Sequence, residues 1–375
     1  MRLVLFFSKN MSLSHWYESG MFDREVAIYQ RLSEFGVLVT FITYGNSKDL
    51  KYRNRLSGID ILCNRWSLPN ILYNLLLPIL HWKSLSVCDL IKTNQVNGSD
   101  IALRSAKYWN KPLIARMGYL LSDFTSKDKY ALNSLLEYSL KIEHKLFNSS
   151  DKIVVTTDEM SQNIRDRLPH VKSKIVVIPN YVEIERFAPN HTESKEFDIL
   201  FVGRLSPQKN LKPFLNALRD IDATAMIIGN GELKNDLQSE FYDLKQKITW
   251  KGNIPNSELP LFMNRSSLFI LPSHYEGHPK TLIEAMSCNL PVIGADSPGI
   301  RKIIKHRVNG YLCGTDSDSI RLAIEELLAN PSLRKFLGEN ARKYIVENFS
   351  LDRILQMEYD LYREILSEKE IKVLN

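Results

Sequence analysis

The chain has 375 residues, of which 44% are hydrophobic and 25% charged, and its mean hydropathy is −0.21. This composition is that of a soluble globular protein, and the length allows two domains that each have their own core. The four cysteines are widely scattered, with no CxxC pair and no metal-type spacing. This excludes a disulfide framework and favours reduced thiols in a cytoplasmic protein.

Basic residues are concentrated in the first half of the chain. Residues 1–190 contain 25 Lys and Arg against 18 Asp and Glu, a net charge of +7. The rest of the chain has a net charge of −1. A basic half favours contact with something anionic, such as a membrane surface or a phosphorylated lipid, although ordinary solvated lysines stay an alternative. Nucleic acid is not expected, because no basic patch with interleaved aromatic residues is present.

Short apolar runs alternate with amphipathic helical patterns, which is typical of parallel α/β sheets. In the first half, a helical pattern at 25–35 precedes Gly36, which is suited to end it. The strand-like runs of this half are 2–7, 37–43, 59–64, 90–92, 112–117 and 152–156.

The most apolar segment is 68–82, which Asn74 and Pro78 interrupt. It is shorter than the roughly 20 residues that span a bilayer. Two interpretations stay open: a helix packed in a core or groove, and shallow contact with a membrane surface. The first apolar run is too short for a signal peptide. We therefore expect a cytoplasmic protein, with peripheral association at the inner face of the membrane as an extension of this hypothesis.

From 174 to 195, a strand runs into two prolines and a polar stretch, which predicts a linker. Further strand-like runs follow at 197–205, 225–229, 248–251, 268–271, 291–294 and 310–313, and a charged helix over about 350–369 closes the chain. We predict two doubly wound, Rossmann-like α/β domains facing each other across a cleft, with ligands at the carboxyl ends of the strands. The expected bounds are 1–190 for the N-terminal domain, 191–350 for the C-terminal domain and 351–375 for a helix packing back towards the first domain.

Two loops of the second half follow strands and contain glycine. In G-R-L-S-P-Q-K-N, Gly203 permits a tight turn, and Arg204 and Lys209 stand near the start of a helix. Two cations at that place suit a diphosphate, and a surface loop with ordinary charges is the alternative. In I-I-G-N-G-E-L, Asn230 and Gly231 belong either to a simple turn or to a phosphate or ribose contact.

The stretch H-Y-E-G-H-P-K-T-L-I-E-A-M contains Glu276 and Glu284 on either side of a Gly-His-Pro break. A helix is predicted to begin at Lys280 or Thr281, so the N–H groups before it would suit a phosphate. Carboxyls of a glycosidase lie roughly 5–9.5 Å apart, and nothing in the sequence establishes such a spacing. An acid/base pair, two ligands for sugar hydroxyls and two solvated glutamates all stay open.

No metal site is predicted. The Asp-x-Asp at 316–318 precedes a helical pattern, where Asp318 or Ser317 is expected to act as the N-cap. The eight histidines form no HExxH or similar cluster, and no nucleophile elbow or Walker loop occurs. The residues after the first strand lack the glycine fingerprint of a dehydrogenase.

Taken together, these motifs resemble the GT-B glycosyltransferases of family 4, retaining enzymes with an E-x7-E signature. The matching elements follow the family's order along nearly all of the second half. They are P-N-Y-V-E-I-E-R-F, G-R-L-S-P-Q-K-N, I-I-G-N-G-E-L, W-K-G-N-I, the Glu276–Glu284 motif with E-A-M, and V-N-G-Y-L.

The resemblance implies a nucleotide-sugar donor, such as a UDP- or GDP-sugar, and no metal or other cofactor. Glu284 would bind the ribose and Glu276 a hydroxyl of the transferred sugar. Arg204 and Lys209 would hold the diphosphate and stabilise it as it leaves. The other candidate donor-binding residues are Gly20, Gly203, Asn230, Gly231, Lys251, Gly252, Asn253, Ile254, Gly277, His278, Pro279, Lys280 and Thr281.

The first half matches the family less well. Residues 19–32 resemble the acceptor-domain loop and first helix, with Gly20 near the donor phosphates. The family often has a histidine after the strand at 112–117, where this chain has A-R-M-G-Y. Arg116 is therefore the candidate acceptor residue. Lys302 stands where the family usually has a glutamate.

The resulting hypothesis is a retaining hexosyltransferase that moves a sugar to a glycan or lipid-linked acceptor in cell-surface polysaccharide biosynthesis. A nucleotide-sugar epimerase or a phosphorylase of the same fold is one alternative. A non-catalytic partner that binds sugar nucleotides is another. The fold itself does not specify the sugar, the base or the acceptor.

Overall fold

A computed structural model describes residues 1–127, 133–190 and 192–374 of the chain. These residues form two compact units. The first comprises Met1–Glu18, Glu25–Pro179 and Ile354–Asn375, and the second comprises Ser19–Arg24 and Asn180–Arg353. The division between Pro179 and Asn180 differs from the expected one at residue 190, and the second unit includes six residues from the N-terminal part of the chain.

The first unit is built on a parallel sheet with the strand order β3-β2-β1-β4-β5-β6-β7. Leu3 pairs with Val39 on one side and with Leu90 on the other, so the direction of winding changes at β1. The strands are β1 (Arg2–Phe6), β2 (Leu38–Asn46), β3 (Ile59–Asn64), β4 (Leu90–Thr93), β5 (Leu113–Arg116), β6 (Lys152–Val155) and β7 (Ile175–Val177).

Helices connect the strands of this sheet, as parallel pairing requires. Gly36, with a φ of +79°, follows the second helix at the predicted place. The helices are α1 (Leu13–Glu18), α2 (Phe22–Glu34), α3 (Asn70–Leu80), α4 (Trp82–Leu85), α5 (Ser99–Tyr108), α6 (Leu121–Lys127), α7 (Asn133–Ser149) and α8 (Asp158–Arg167).

The second unit has its own parallel sheet, with the strand order β10-β9-β8-β11-β12-β13. The strands are β8 (Phe197–Val202), β9 (Ala225–Ile228), β10 (Ile248–Gly252), β11 (Ser266–Leu271), β12 (Val292–Ala295) and β13 (Tyr311–Cys313). The helices are α9 (Leu211–Arg219), α10 (Lys234–Glu240), α11 (Leu259–Asn264), α12 (Lys280–Ser287), α13 (Ser317–Ala329) and α14 (Pro331–Phe349), followed by α15 (Leu351–Leu374), which begins here and continues in the first unit.

Two local expectations were wrong. The Asp316 carboxylate, and not Asp318 or Ser317, caps α13, because it accepts a hydrogen bond from the N–H of Ser319 at 2.9 Å. The residues from Asn180 onwards form part of the second unit and are not a free linker: Phe187 is buried in the core of that unit. The Arg342 guanidinium donates hydrogen bonds to the carbonyls of Ile184 and Phe187 in this stretch and to the carbonyl of Ser287 in α12.

A buried lysine connects β4 of the first unit to α15. The Lys92 ammonium lies 2.7 Å from the Glu358 carboxylate and 2.9 Å from the Tyr362 hydroxyl. It also lies 5.5 Å from the centroid of the Tyr29 ring. Burial lowers the pKa of Lys92, and Glu358 opposes that shift. The lysine-to-glutamate pair thus fixes α15 on this sheet.

No helix within the described ranges is both long and apolar enough to cross a bilayer.

Candidate functional site

The predicted donor loops lie along one edge of the second unit. Because all strands of its sheet are parallel, the loops that follow β8, β9, β10, β11 and β12 leave the sheet at the same edge. The structure therefore brings together the loops that contain G-R-L-S-P-Q-K-N, I-I-G-N-G-E-L, W-K-G-N-I and the two glutamates.

The glycines of the first two loops allow these loops to pack on each other. A Cβ on Gly229, which has a φ of +138°, would lie 1.9 Å from the Gly203 carbonyl oxygen. A Cβ on Gly231 would lie 2.3 Å from the Leu205 carbonyl oxygen. The N–H of Leu205 in turn donates to the Asn230 carbonyl at 2.9 Å. Close backbone packing thus accounts for both glycines without any ligand.

The loop after β8 also anchors the loop after β11. The His274 N–H donates to the Gln208 carbonyl at 3.0 Å, and the Gln208 amide donates to the Tyr275 carbonyl at 2.8 Å. The Asn210 amide donates to the Pro272 carbonyl at 3.1 Å. Hydrogen bonds therefore hold the loops after β8 and β11 together.

Glu276 is paired with a lysine. Its Oε1 lies 2.5 Å from Nζ of Lys209, and its side chain is only 8% exposed. The hypothesis of a solvated glutamate is therefore wrong for this residue. Arg204 is exposed at the same edge.

The loop after β12 supports the Glu276 turn, a contact that the sequence analysis did not identify. The Glu276 N–H donates to the Pro298 carbonyl at 2.9 Å. Gly299 has a φ of +82°, and a Cβ there would lie 2.3 Å from the Glu276 carbonyl oxygen. Only a glycine fits this approach without displacement, and the Pro-Gly dipeptide was the available signal.

Glu284 is buried, with 1% of its side chain exposed. Its Oε1 accepts hydrogen bonds from the Asn256 amide at 2.9 Å and from the Arg24 guanidinium at 3.4 Å. Its Oε2 has no hydrogen-bond partner among the described residues. Burial raises the pKa of Glu284, while Arg24 and Asn256 oppose that shift. Because buried polar atoms are rarely left unpaired, this oxygen is suited to a ligand hydroxyl.

The segment Ser19–Arg24 completes this edge of the second unit. Gly20 has a φ of +75°, and a Cβ there would lie 2.0 Å from the Ile254 carbonyl oxygen. The Gly20 carbonyl accepts the Asn256 N–H at 2.9 Å. The observed contact of Gly20 is thus with the W-K-G-N-I loop, and its approach to donor phosphates stays a prediction. Nothing in the sequence indicated a role for Arg24 or Asn256, except that Arg24 lies within the 19–32 segment and Asn256 closely follows the W-K-G-N-I motif.

The helix α12 begins at Lys280, as predicted, and its first turn has no side-chain cap. Pro279 precedes it, and the Asn180 amide fixes this turn by donating to the His278 carbonyl at 2.7 Å. The His278 ring is buried against Phe349, with ring centroids 4.8 Å apart. His278 therefore contributes packing through its side chain. The first N–H groups of an uncapped helix suit an anion.

The remaining candidates are more exposed or lie elsewhere. In the second unit, Lys251 and Asn253 are exposed and Thr281 is half-buried. Gly252 has a φ of +76°, and its carbonyl accepts a hydrogen bond from the Gly229 N–H at 2.8 Å. Arg116 lies in the first unit, where its guanidinium donates to the Asn94 carbonyl at 3.2 Å. Arg116 thus belongs to the first unit, and the candidate donor residues belong to the second.

Among the residues that the structure describes, no group of three or more His, Cys, Asp and Glu side chains is arranged to hold a metal ion. All four cysteines are buried and unpaired with one another.

Two family models match consecutive parts of the chain. The model of glycosyltransferase family 4 matches residues 26–186, and the model of the group 1 glycosyl transferases matches residues 182–344. This chain belongs to the family 4, group 1 glycosyltransferases. The resemblance seen in the sequence motifs is confirmed.

Relatives and solved structures agree with this family. The chain is 33% identical over 221 residues to the UDP-Gal:alpha-D-GlcNAc-diphosphoundecaprenol alpha-1,3-galactosyltransferase of Escherichia coli. The aligned region covers 52% of this chain and 56% of that protein. The chain thus spans little more than half the length of this curated relative.

The fold of this glycosyltransferase is also that of known structures. Sucrose-phosphate synthase from Thermosynechococcus elongatus superposes with a TM-score of 0.81 at 18% identity, over 98% of this chain and 100% of that one. HepE of Anabaena, solved in complex with UDP-glucose, superposes with a TM-score of 0.76 at 17% identity, over 98% and 99%. The expected GT-B fold, with two parallel α/β sheets, is confirmed.

Replacing Glu284 by glutamine is expected to stabilise the protein by about 1 to 3 kcal/mol at neutral pH, because it removes the negative charge whose burial raises the pKa of this carboxyl. Because the pKa of Glu284 is raised, this carboxyl contributes to the stability of the folded state at pH values below its ordinary pKa of 4.5. That contribution is lost as the pH rises through the raised pKa. Thermal melts across this pH range check the expectation, and the variant should lack this loss of stability.

Glu143→Gln is the matched control, because Glu143 is equally buried but has partners for both oxygens. Its carboxylate accepts hydrogen bonds from the Ser122 N–H and hydroxyl and from the Arg167 guanidinium. This variant should be destabilised. Equal destabilisation of both variants would show that Glu284 is a structural residue.

Proposed function

We propose that this family 4 member is a retaining transferase that moves a sugar from a nucleotide diphosphate sugar to a glycan or lipid-linked acceptor, in the synthesis of a cell-surface polysaccharide. The observation that carries the proposal is the buried Glu284 carboxylate, with one oxygen held by Asn256 and the other without a partner in the described structure. HepE binds UDP-glucose, and the E. coli relative is named for a UDP-sugar and a lipid-linked acceptor, which supports this choice.

The nucleoside would bind between Glu284 and the W-K-G-N-I loop. Asn256 and Arg24 hold Oε1 of Glu284, so Oε2 is positioned to accept a hydrogen bond from a ribose hydroxyl. The base would lie against residues 251–254. Because Gly20 packs on the Ile254 carbonyl, the segment Ser19–Arg24 sets the position of this loop.

The sugar and the diphosphate would bind beside the Lys209–Glu276 pair. Glu276 would accept a hydrogen bond from a hydroxyl of the transferred sugar. Because Lys209 contacts Glu276, its ammonium would lie near the same sugar. Arg204 and the uncapped start of α12 add positive potential where the diphosphate gathers negative charge as it leaves. We assign the role that a divalent cation has in other transferases to these groups, so transfer is proposed to need no metal.

Retention would follow from attack on the same face that the leaving group occupies. The bond from the anomeric carbon to the diphosphate oxygen breaks, the acceptor oxygen bonds to that carbon, and the acceptor proton passes to the departing diphosphate. No side chain needs to act as a nucleophile, which agrees with Glu276 being paired to Lys209.

A transfer assay tests this function. UDP- and GDP-sugars are incubated with a lipid-diphosphate-linked sugar acceptor, with and without a chelator, and the product's anomeric configuration is read by NMR. We expect a product with the donor's configuration that forms equally fast with the chelator. An inverted product would contradict retention, and inhibition by the chelator would contradict metal independence.

The two alternatives have distinct outcomes in the same assay. Rearrangement of the donor sugar without any acceptor would favour an epimerase. Donor binding without turnover under all conditions would favour a non-catalytic partner.

A further inference from the structure

The outward face of α3 is a contiguous apolar stripe. Ile71, Leu75 and Ile79 recur at helical spacing and are 86%, 59% and 54% exposed. The opposite side of the helix is buried through Tyr73 and Leu77. Single exposed hydrophobic residues are ordinary, but a stripe of this kind marks a surface that meets an apolar phase.

Aromatic and cationic residues flank both ends of this stripe. Trp66 precedes α3 and Trp82 follows it, and both are exposed. The Arg65 guanidinium lies 5.6 Å from the Trp66 ring centroid, and the Lys83 ammonium lies 6.0 Å from the Trp82 ring centroid. Tryptophan next to a cation is typical of the boundary between acyl chains and headgroups.

Charge on this part of the chain is of one sign. The sequence between Asp60 and Asp89 contains Arg65 and Lys83 but no aspartate or glutamate, and α3 itself has no charged residue. The charges of this segment are therefore complementary to an anionic partner and not to a surface rich in cations.

The stripe is presented by an ordered helix. The Trp109 indole donates to the Pro78 carbonyl at 2.9 Å, which satisfies an acceptor close to the end of α3. The Tyr73 hydroxyl and the His81 ring are hydrogen-bonded at 2.8 Å on the buried side. The exposed side chains thus need no refolding to meet a partner, so little ordering entropy opposes binding.

We propose that the α3 face, defined as Ile71, Leu72, Leu75, Ile79 and Trp82, docks on the surface of a bilayer that contains anionic lipids. The aliphatic side chains enter the boundary between headgroups and acyl chains, and Arg65 and Lys83 contact lipid phosphates. This inference is independent of the donor assignment and adds a site of membrane contact to the glycosyltransferase.

Co-sedimentation of the full chain with vesicles tests the apolar part of the proposal. Vesicles of phosphatidylcholine and phosphatidylglycerol should bind the wild type, and Leu75→Asp/Ile79→Asp should lower the partition coefficient at least about tenfold. Leu322→Asp, at an exposed position of α13, is the matched control and should bind like the wild type. Because all three positions are exposed, the melting temperatures should stay equal.

The cations are tested with the same vesicles. Arg65→Ala and Lys83→Ala should each weaken binding about fivefold, the change for roughly 1 kcal/mol per cation, and added salt should reduce the effect. Lys335→Ala, an exposed position of α14, should have no effect.

Three results would overturn the proposal. The first is no sedimentation of the wild type with anionic vesicles, or equal sedimentation of the Leu75→Asp/Ile79→Asp variant. The second is equal binding to vesicles of phosphatidylcholine alone. The third is a dimer in light scattering that these two substitutions dissociate, since the partner of the α3 face would then be a second copy of the chain.

Discussion

Arg204→Ala is expected to lower kcat by about a hundred- to a thousandfold, the usual loss when one preorganised charge at a developing anion is removed. Arg204 is exposed and lies in the loop after β8 that also contains Lys209, so we assign its main role to the diphosphate as that group leaves. Its removal should therefore lower kcat more than it changes KM.

Steady-state transfer kinetics together with thermal melts check this expectation. Because the side chain is exposed, the melting temperature should not change. Lys335→Ala removes a cation from an exposed position of the same unit and should leave kcat unchanged. A folded Arg204→Ala enzyme whose kcat lies within a few-fold of the wild type would remove Arg204 from the mechanism.

Lys92→Ala or Glu358→Ala is expected to destabilise the first unit by about 3 to 5 kcal/mol, because each leaves an uncompensated buried charge. The two groups are 2.7 Å apart and almost inaccessible to solvent. For a unit of this size, the melting temperature should fall on the order of 10 °C. Differential scanning calorimetry provides the measurement.

The double variant Lys92→Met/Glu358→Leu is the informative comparison, since replacing both partners of a buried pair by apolar groups is often close to neutral. It should recover most of the lost melting temperature. Breaking the exposed Lys335–Glu339 pair should change stability by less than about 1 kcal/mol. A Lys92→Ala variant with an unchanged melting temperature would contradict the view that this pair fixes α15.

The strands were predictable because parallel strands are buried on both faces and appear as continuous apolar runs. The runs at 59–64 and 152–156 correspond to β3 and β6, with ends that differ by at most one residue. The linker was mispredicted because prolines and polar residues indicate a break in regular structure. They give no information on packing, and Phe187 of that stretch lies in the core of the second unit.

Within the candidate site, the loops after β8 and β11 and the two glutamates were found from local sequence. Their partners were not. Arg24 and Asn256 meet at Glu284 although Arg24 lies 260 residues away along the chain, and no periodicity encodes such a contact. Gly20 was assigned to phosphate binding on resemblance alone, whereas the steric need for glycine arises from the Ile254 carbonyl.

Calorimetric titration of UDP, GDP and ADP into the wild type and Glu284→Gln tests most directly whether the second unit binds a nucleotide donor through this carboxylate. We expect one of the nucleotides to bind, and the glutamine variant to bind it about tenfold or more weakly, since a hydrogen bond to a charged group is lost. Glu143→Gln should bind it like the wild type. Binding of no nucleotide, or equal binding by Glu284→Gln, would contradict the assignment.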